Sequence, residues 1–194
     1  MTEAQPTQAT PDEQAFADRC AAAACRSCGS QALKPVLDLG AMPLADGLVA
    51  ESRRHEPEPR YPLELAFCPS CSLVQILETV PPEVLFDAGY PYFSSFSDAL
   101  LAHSRENALE LIELRGLTSD SLVVEVASND GYLLRNFVER GIPVLGIDPA
   151  PGPAAEAVKI GVPTEVAFFS RQFAQSLRDS GKAADVIIAN NVLA

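Results

Sequence analysis

The pattern of apolar and polar positions divides the chain into two unlike parts. From Leu122 onward, short apolar runs alternate with helical patterns. Leu122, Val123, Val124 and Val126 read as a strand without the alternation of a half-exposed one, as in parallel strands covered on both faces. A helix over 132–140 stopped by Gly141 follows, then a strand over 143–147 and a helix over 154–160 stopped by Gly161. A short strand near 163–167, a helix over 171–180 and a strand over 185–189 complete the series. This order predicts an α/β fold with a doubly wound parallel sheet and right-handed crossovers. Just upstream, Leu100, Leu101, Ala108, Leu109, Leu111, Ile112 and Leu114 keep helical spacing between a Ser or Asp cap and Gly116, a helix leading into the sheet.

The first 80 residues lack such runs. Residues 1–14 are polar and acidic and read as a disordered tail, and AFADRCAAAAC as the start of a short Ala-rich helix. Residues 15–80 have frequent Pro and Gly and only brief apolar stretches, such as 36–39 and 63–67. A module of this kind needs a metal or disulfide staple. Residues 81–116 hold an aromatic loop with Tyr90, Tyr92 and Phe93, then the linking helix, and 117–194 hold the sheet.

Composition narrows the partners. With 194 residues, 47% hydrophobic and 21% charged, there is chain enough for one or two packed cores. A net charge of -12 argues against a large nucleic-acid footprint, which needs clustered Lys and Arg. No run of 18 apolar residues occurs and the first residues lack the pattern of a signal peptide, so a cytoplasmic protein without a membrane anchor is expected. The last residues, DVIIANNVLA, stop on an apolar pattern, and the expectation is the front part of a longer protein.

The five cysteines all precede residue 72, and an odd number without an export signal argues against a disulfide framework. Cys25 and Cys28 form one CxxC pair, Cys68 and Cys71 another, with 39 residues between them. Each pair can offer two thiolates from one tight knuckle, and four complete a tetrahedral Zn2+ site. The competing reading is one redox dithiol or merely buried thiols. Cys20 is left over as a thiol outside the set.

The turn after the Leu122 strand carries the second piece of chemistry. Ligands in open α/β sheets bind outside the carboxyl ends of the strands, so Glu125, Ala127, Ser128, Asn129, Asp130 and Gly131 are placed to line a site. Dinucleotide binders need GxGxxG, and one glycine here argues against NAD. The looser ExGxGxG pattern of S-adenosylmethionine sites is present in degraded form as Glu125, Ala127, Asn129 and Gly131. Ala127 allows close backbone approach, and Asn129 tolerates positive φ. Asp148 ends the next strand 17 residues after Gly131, where an acid would take ribose hydroxyls; otherwise it is a helix cap or turn residue. Phe168 and Phe169 could flank an adenine or belong to the core, and Asn190 would face the same crevice or serve as a polar turn.

Taken together, CRSCG, PLADGL, CPSCSLVQ, YPYFSS, EVASNDGYLL, GIDPA and ADVIIANNVLA resemble, in order, the zinc-containing sugar C-methyltransferase family. The resemblance covers nearly all of Cys25 to Ala194. It implies a zinc domain, a Rossmann-like methyltransferase domain using S-adenosylmethionine, and a nucleotide-linked 4-keto-deoxysugar substrate, usually carried on thymidine diphosphate. It further implies that Tyr90 or Tyr92 approaches the sugar as base, donor or oxyanion stabiliser. The family's principal catalytic His follows the ANNVLA segment and its Tyr, Glu and His cluster lies farther on. Neither matches His55 or His103, read as a solvated loop residue and a helix-face residue. On the expectation of a fragment, residues 1–194 alone bind S-adenosylmethionine weakly or not at all. Two rival readings are a zinc-bearing RNA methyltransferase, against which the charge counts, and a non-catalytic zinc-stabilised binding remnant.

Overall fold

The computed structural model describes residues 10–192. It divides into two compact units, Met1–Pro81 and Pro82–Ala194. The aromatic loop and linking helix thus fall with the sheet.

In the first unit, helix α1 (Pro11–Ala22) begins inside the stretch read as a tail. Thr10 forms a capping box with Glu13: the Glu13 N–H donates to Thr10 Oγ1 at 3.3 Å and the Thr10 N–H to Glu13 Oε2 at 2.7 Å. With Pro11 at the first helical position, this start signal outweighs the polarity of the stretch. The part of the tail reading that falls on residues 1–9 lies outside the described residues. Strands β1 (Lys34–Pro43), β2 (Arg60–Phe67) and β3 (Val74–Ile76) form an antiparallel sheet in that order. The core beside it is small, holding Phe16, Cys20, Cys25, Leu33, Ala66 and Cys68. Arg19 grips the buried Glu64 carboxylate through Nε at 2.8 and 3.1 Å, tying α1 to β2.

The second unit opens with a helical turn, α2 (Pro82–Leu85), and then helix α3 (Asp98–Arg115). Ser97 Oγ caps α3 by accepting the Leu100 N–H at 3.2 Å, and Gly116 closes it. Strands β4 (Val123–Val126), β5 (Val144–Asp148), β6 (Thr164–Val166) and β7 (Val186–Ile188) form a wholly parallel sheet ordered β6-β5-β4-β7. The first strand is therefore central, and the chain winds to one side of it and then to the other. Helix α5 (Pro151–Lys159) joins β5 to β6 and α6 (Arg171–Asp179) joins β6 to β7. Val123, Val144 and Ile188 pack with α3 and α5 residues on one face, while Val124, Leu145 and Ile147 meet Leu177 of α6 on the other.

The helix read over 132–140 is much shorter, α4 (Arg135–Val138) flanked by turns. Bonds to the third and the fourth preceding carbonyl mix through this stretch. The Asn136 amide donates to the Leu133 carbonyl at 2.9 Å, competing for an acceptor that a regular helix would use.

Candidate functional site

The first unit holds a metal centre. The sulfurs of Cys25, Cys28, Cys68 and Cys71 all lie within 4.8 Å of one another. Across the knuckles, Cys25 and Cys71 sulfurs are 3.5 Å apart and Cys28 and Cys68 3.7 Å, against about 3.8 Å for four thiolates on tetrahedral zinc. Four soft donors at this spacing fit Zn2+ and complete its coordination, as in structural sites. Cys20 is buried in the nearby core and is not one of the four.

The two knuckles are built alike. Cys25 N–H donates to Ser30 O at 2.8 Å and Gly29 N–H to Cys25 O at 2.9 Å; Cys68 N–H donates to Leu73 O and Ser72 N–H to Cys68 O, both at 2.8 Å. Gly29 and Ser72 occupy equivalent positions with φ of 74° and 64°. A serine there carries the steric cost of the left-handed region. Ser72→Gly is expected to stabilise the zinc-loaded protein by roughly 0.5–1 kcal/mol, read as a higher urea midpoint at constant slope. A lower midpoint would contradict this.

The second unit carries a crevice of about 780 Å³ at the carboxyl ends of the parallel strands. Among the sequence-chosen residues, Tyr90, Tyr92, Ala127, Asn129, Asp148, Phe168, Phe169 and Asn190 line it. The others do not reach it. Gly131 packs against Val162 and Ala157, and Ser128 is buried beside Gly146. A Cβ on Gly146 would stand 2.5 Å from Ser128 Oγ, so this β5 position admits no side chain while that hydroxyl is in place. Asp130 lines a smaller neighbouring cleft with Arg135 and Phe96.

Asn129 and Asp130 do more than turn the chain. Asn129 Oδ1 accepts the Ser94 N–H at 2.8 Å, and its Nδ2 donates to Tyr92 O at 3.1 Å. Asp130 Oδ2 accepts the Ser95 N–H at 3.1 Å. The turn after β4 therefore clamps the aromatic loop and fixes Tyr92 at the crevice. Asn129 and Ala127 take positive φ of 49° and 55°.

Asp148 Oδ2 accepts the Asn129 N–H and Oδ1 the Ala150 N–H, each at 2.8 Å. Burial holds its carboxyl above the usual range, partly offset by those two donors, while Asp130 adds to the rise. Each oxygen keeps a second lone pair for a hydroxyl ligand.

Glu125 lies beneath the crevice floor, 1% exposed, on the same face of β4 as Val123. Among the described residues neither of its oxygens meets a fully formed hydrogen bond. Burial pushes its carboxyl well above the usual range, Asp148 and Asp130 push the same way, and only the Tyr132 hydroxyl opposes. A folded-state value above the unfolded one means that the stability Glu125 contributes at low pH is lost as pH rises through the folded value. Glu125→Gln is thus expected to flatten the fall in urea midpoint between pH 5 and pH 8. An unchanged slope would refute that.

Sequence reasoning did not choose Phe86, Asn107 or Tyr132 for the site and read His103 as a helix-face residue, yet all four line the crevice. Phe86 meets Tyr90 and Phe168 edge-on, with centroids at 5.3 and 6.4 Å. His103 and Asn107 are one helical turn apart on α3. That spacing beside Leu100 was the available signal, and nothing in it says which face a ligand would use.

A four-thiolate zinc module and a Rossmann-like parallel sheet with its crevice at the strand ends define a zinc-bearing protein of the methyltransferase fold class. Residues 25–86 match the family model Methyltransf_13, described as a zinc binding domain. The C-methyltransferase NovU of Streptomyces niveus is 33% identical over 153 residues, covering 79% of this chain and 36% of the relative. Over the stretches they cover, both findings make the chain similar to zinc-containing C-methyltransferases. It spans about a third of the length of the curated relative it matches. Among solved structures, the plantazolicin methyltransferase BpumL in complex with SAH is similar at 18% identity over 50% of this chain and 43% of that one. Its TM-score of 0.28 is too slight to bear on function.

Proposed function

We propose that the crevice of the second unit binds S-adenosylmethionine and that the whole protein methylates a carbon next to the ketone of a nucleotide-linked 4-keto-deoxysugar, carried on thymidine diphosphate. The supporting observation is the pairing of Asp148 and Asn129 at the ends of adjacent parallel strands. It offers a carboxylate for ribose hydroxyls beside a backbone bent for close approach. Phe168 and Phe169 flank the adenine. The cofactor supplies an electrophilic methyl group.

Tyr90 and Tyr92 face the same space, and one of them holds or moves a proton at the sugar. The C3 hydrogen beside a C4 ketone is acidic; a base removes it, and donors at the oxygen hold the enolate. Zinc, held by four thiolates, holds the first unit together. No helix among the described residues is long and apolar enough to cross a membrane. We place the protein in the cytoplasm, acting on a small nucleotide-linked sugar and not on nucleic acid.

The test incubates the full-length protein with S-adenosylmethionine and a panel of nucleotide-linked 4-ketosugars, reading product mass. A gain of one methylene on a sugar is expected. Methylation of RNA instead, or no gain with any sugar, would overturn the proposal.

A further inference from the structure

Beneath the crevice, Glu125 has no visible employment. Its β5 neighbour in register is Gly146, which adds no side chain beside it. Glu125 is 1% exposed, and among the described residues neither of its carboxyl oxygens has a fully formed hydrogen bond. A buried carboxylate without donors is costly, so such a group is kept as the neutral acid until a positive charge arrives.

The groups around Glu125 fit that role. Asp148 of β5 and Asp130 of the turn are both acids acting on it. Tyr132 lies between Glu125 and Asn190, interacting with both, and with Asn190 it lines the crevice. Tyr92 of the aromatic loop acts on Tyr132 as well. His103 of α3 lines the crevice, and Arg135 at the start of α4 shares the smaller cleft with Asp130 and Tyr132. The resident groups acting on Glu125 are thus acids and a phenol, and a cationic ligand would be the charge they lack.

We infer that Glu125 is uncharged beneath the empty crevice and releases its proton when a cationic cofactor enters, so that the site prefers a sulfonium to the thioether left after methyl transfer. This rests on the proposed cofactor. The balance is simple: the neutral acid gives one proton to solvent and becomes a buried carboxylate, whose negative charge would offset the positive charge of a bound sulfonium. S-adenosylmethionine carries one positive charge more than S-adenosylhomocysteine, so the two ligands differ in the charge Glu125 answers. At an effective dielectric of about 20, a charge pair separated by on the order of 10 Å is worth a preference on the order of tenfold. The same device would help expel product, because Glu125 regains its proton as the positive charge leaves.

The experiment titrates the full-length protein calorimetrically with each ligand at pH 7, in phosphate and in Tris. These buffers differ in ionisation enthalpy, so the difference in heat counts protons. Release of up to one proton per site is expected with S-adenosylmethionine and almost none with S-adenosylhomocysteine. In Glu125→Gln the release disappears and the preference for the sulfonium narrows by about tenfold. In Tyr132→Phe the release persists but its pH profile moves upward, since the hydroxyl that eases ionisation is gone. Equal release with both ligands, or release that survives in Glu125→Gln, would overturn the inference while leaving the cofactor reading intact. Binding of neither ligand would overturn both.

Discussion

Cys68→Ser is expected to leave the first unit unable to keep its metal and its fold. Removing one thiolate of four lowers zinc below one ion per chain. Structural zinc supplies about 10–16 kcal/mol of apparent folding energy in small modules at neutral pH. The first unit has little else to rely on, since among the described residues six buried apolar ones form its core and two of them, Cys25 and Cys68, are zinc ligands. Backbone amides over 25–81 should lose their protection in hydrogen exchange, and a strong chelator should reproduce the effect. Cys20→Ala is the control: it leaves the four ligands in place, so zinc should stay at one per chain. Full zinc content and unaltered protection in Cys68→Ser would remove the metal from the account of this fold.

The second large effect is expected at Asp148. Asp148→Ala strips the acceptor from two buried N–H groups, those of Asn129 and Ala150, at about 1–3 kcal/mol each. The Asn129 N–H lies in the same turn whose side chain fixes the aromatic loop, so the damage reaches Tyr92 as well. Asp148→Asn keeps one acceptor oxygen and should lose roughly half as much stability. On the proposed reading, in which this carboxylate takes the ribose hydroxyls, Asp148→Ala should weaken S-adenosylhomocysteine binding by about a hundredfold or more and Asp148→Asn by less. Wild-type affinity in Asp148→Ala would show that the ribose is not held there.

How much of this was legible in the sequence depended on the range of the interaction. The parallel strands were legible because Val123, Val124 and Val126 are buried whichever face they take, so no alternation confuses the reading. The cysteine pairs were legible because each knuckle is local and its spacing is its signature. The capping box at Thr10 was equally local and was hidden by the polarity of its surroundings. The short α4 was not legible, since its irregularity depends on where one Asn136 amide turns.

The turn after β4 shows the limit most clearly. That Asn129 could take positive φ follows from its chemistry, but that its amide is spent on Ser94 and Tyr92 depends on a contact across 35 to 37 residues. Glu125 likewise reads as a site residue from its place at a strand end. Only the parity of the strand, which turns it to the face of Val123, puts it under the floor instead of at the opening.

The likeness of the two zinc knuckles bears on how quickly the ion can be exchanged. Each hairpin of backbone hydrogen bonds holds its own pair of sulfurs ready, so an ion loosened from one pair is still gripped by the other and meets the first again at high effective concentration. Departure then waits on the two knuckles parting, a motion opposed by the 42 residues that join Cys25 to Cys68 through the β1–β2 ladder. Metal turnover in this protein would keep time with the breathing of a sheet and not with the lability of a single thiolate.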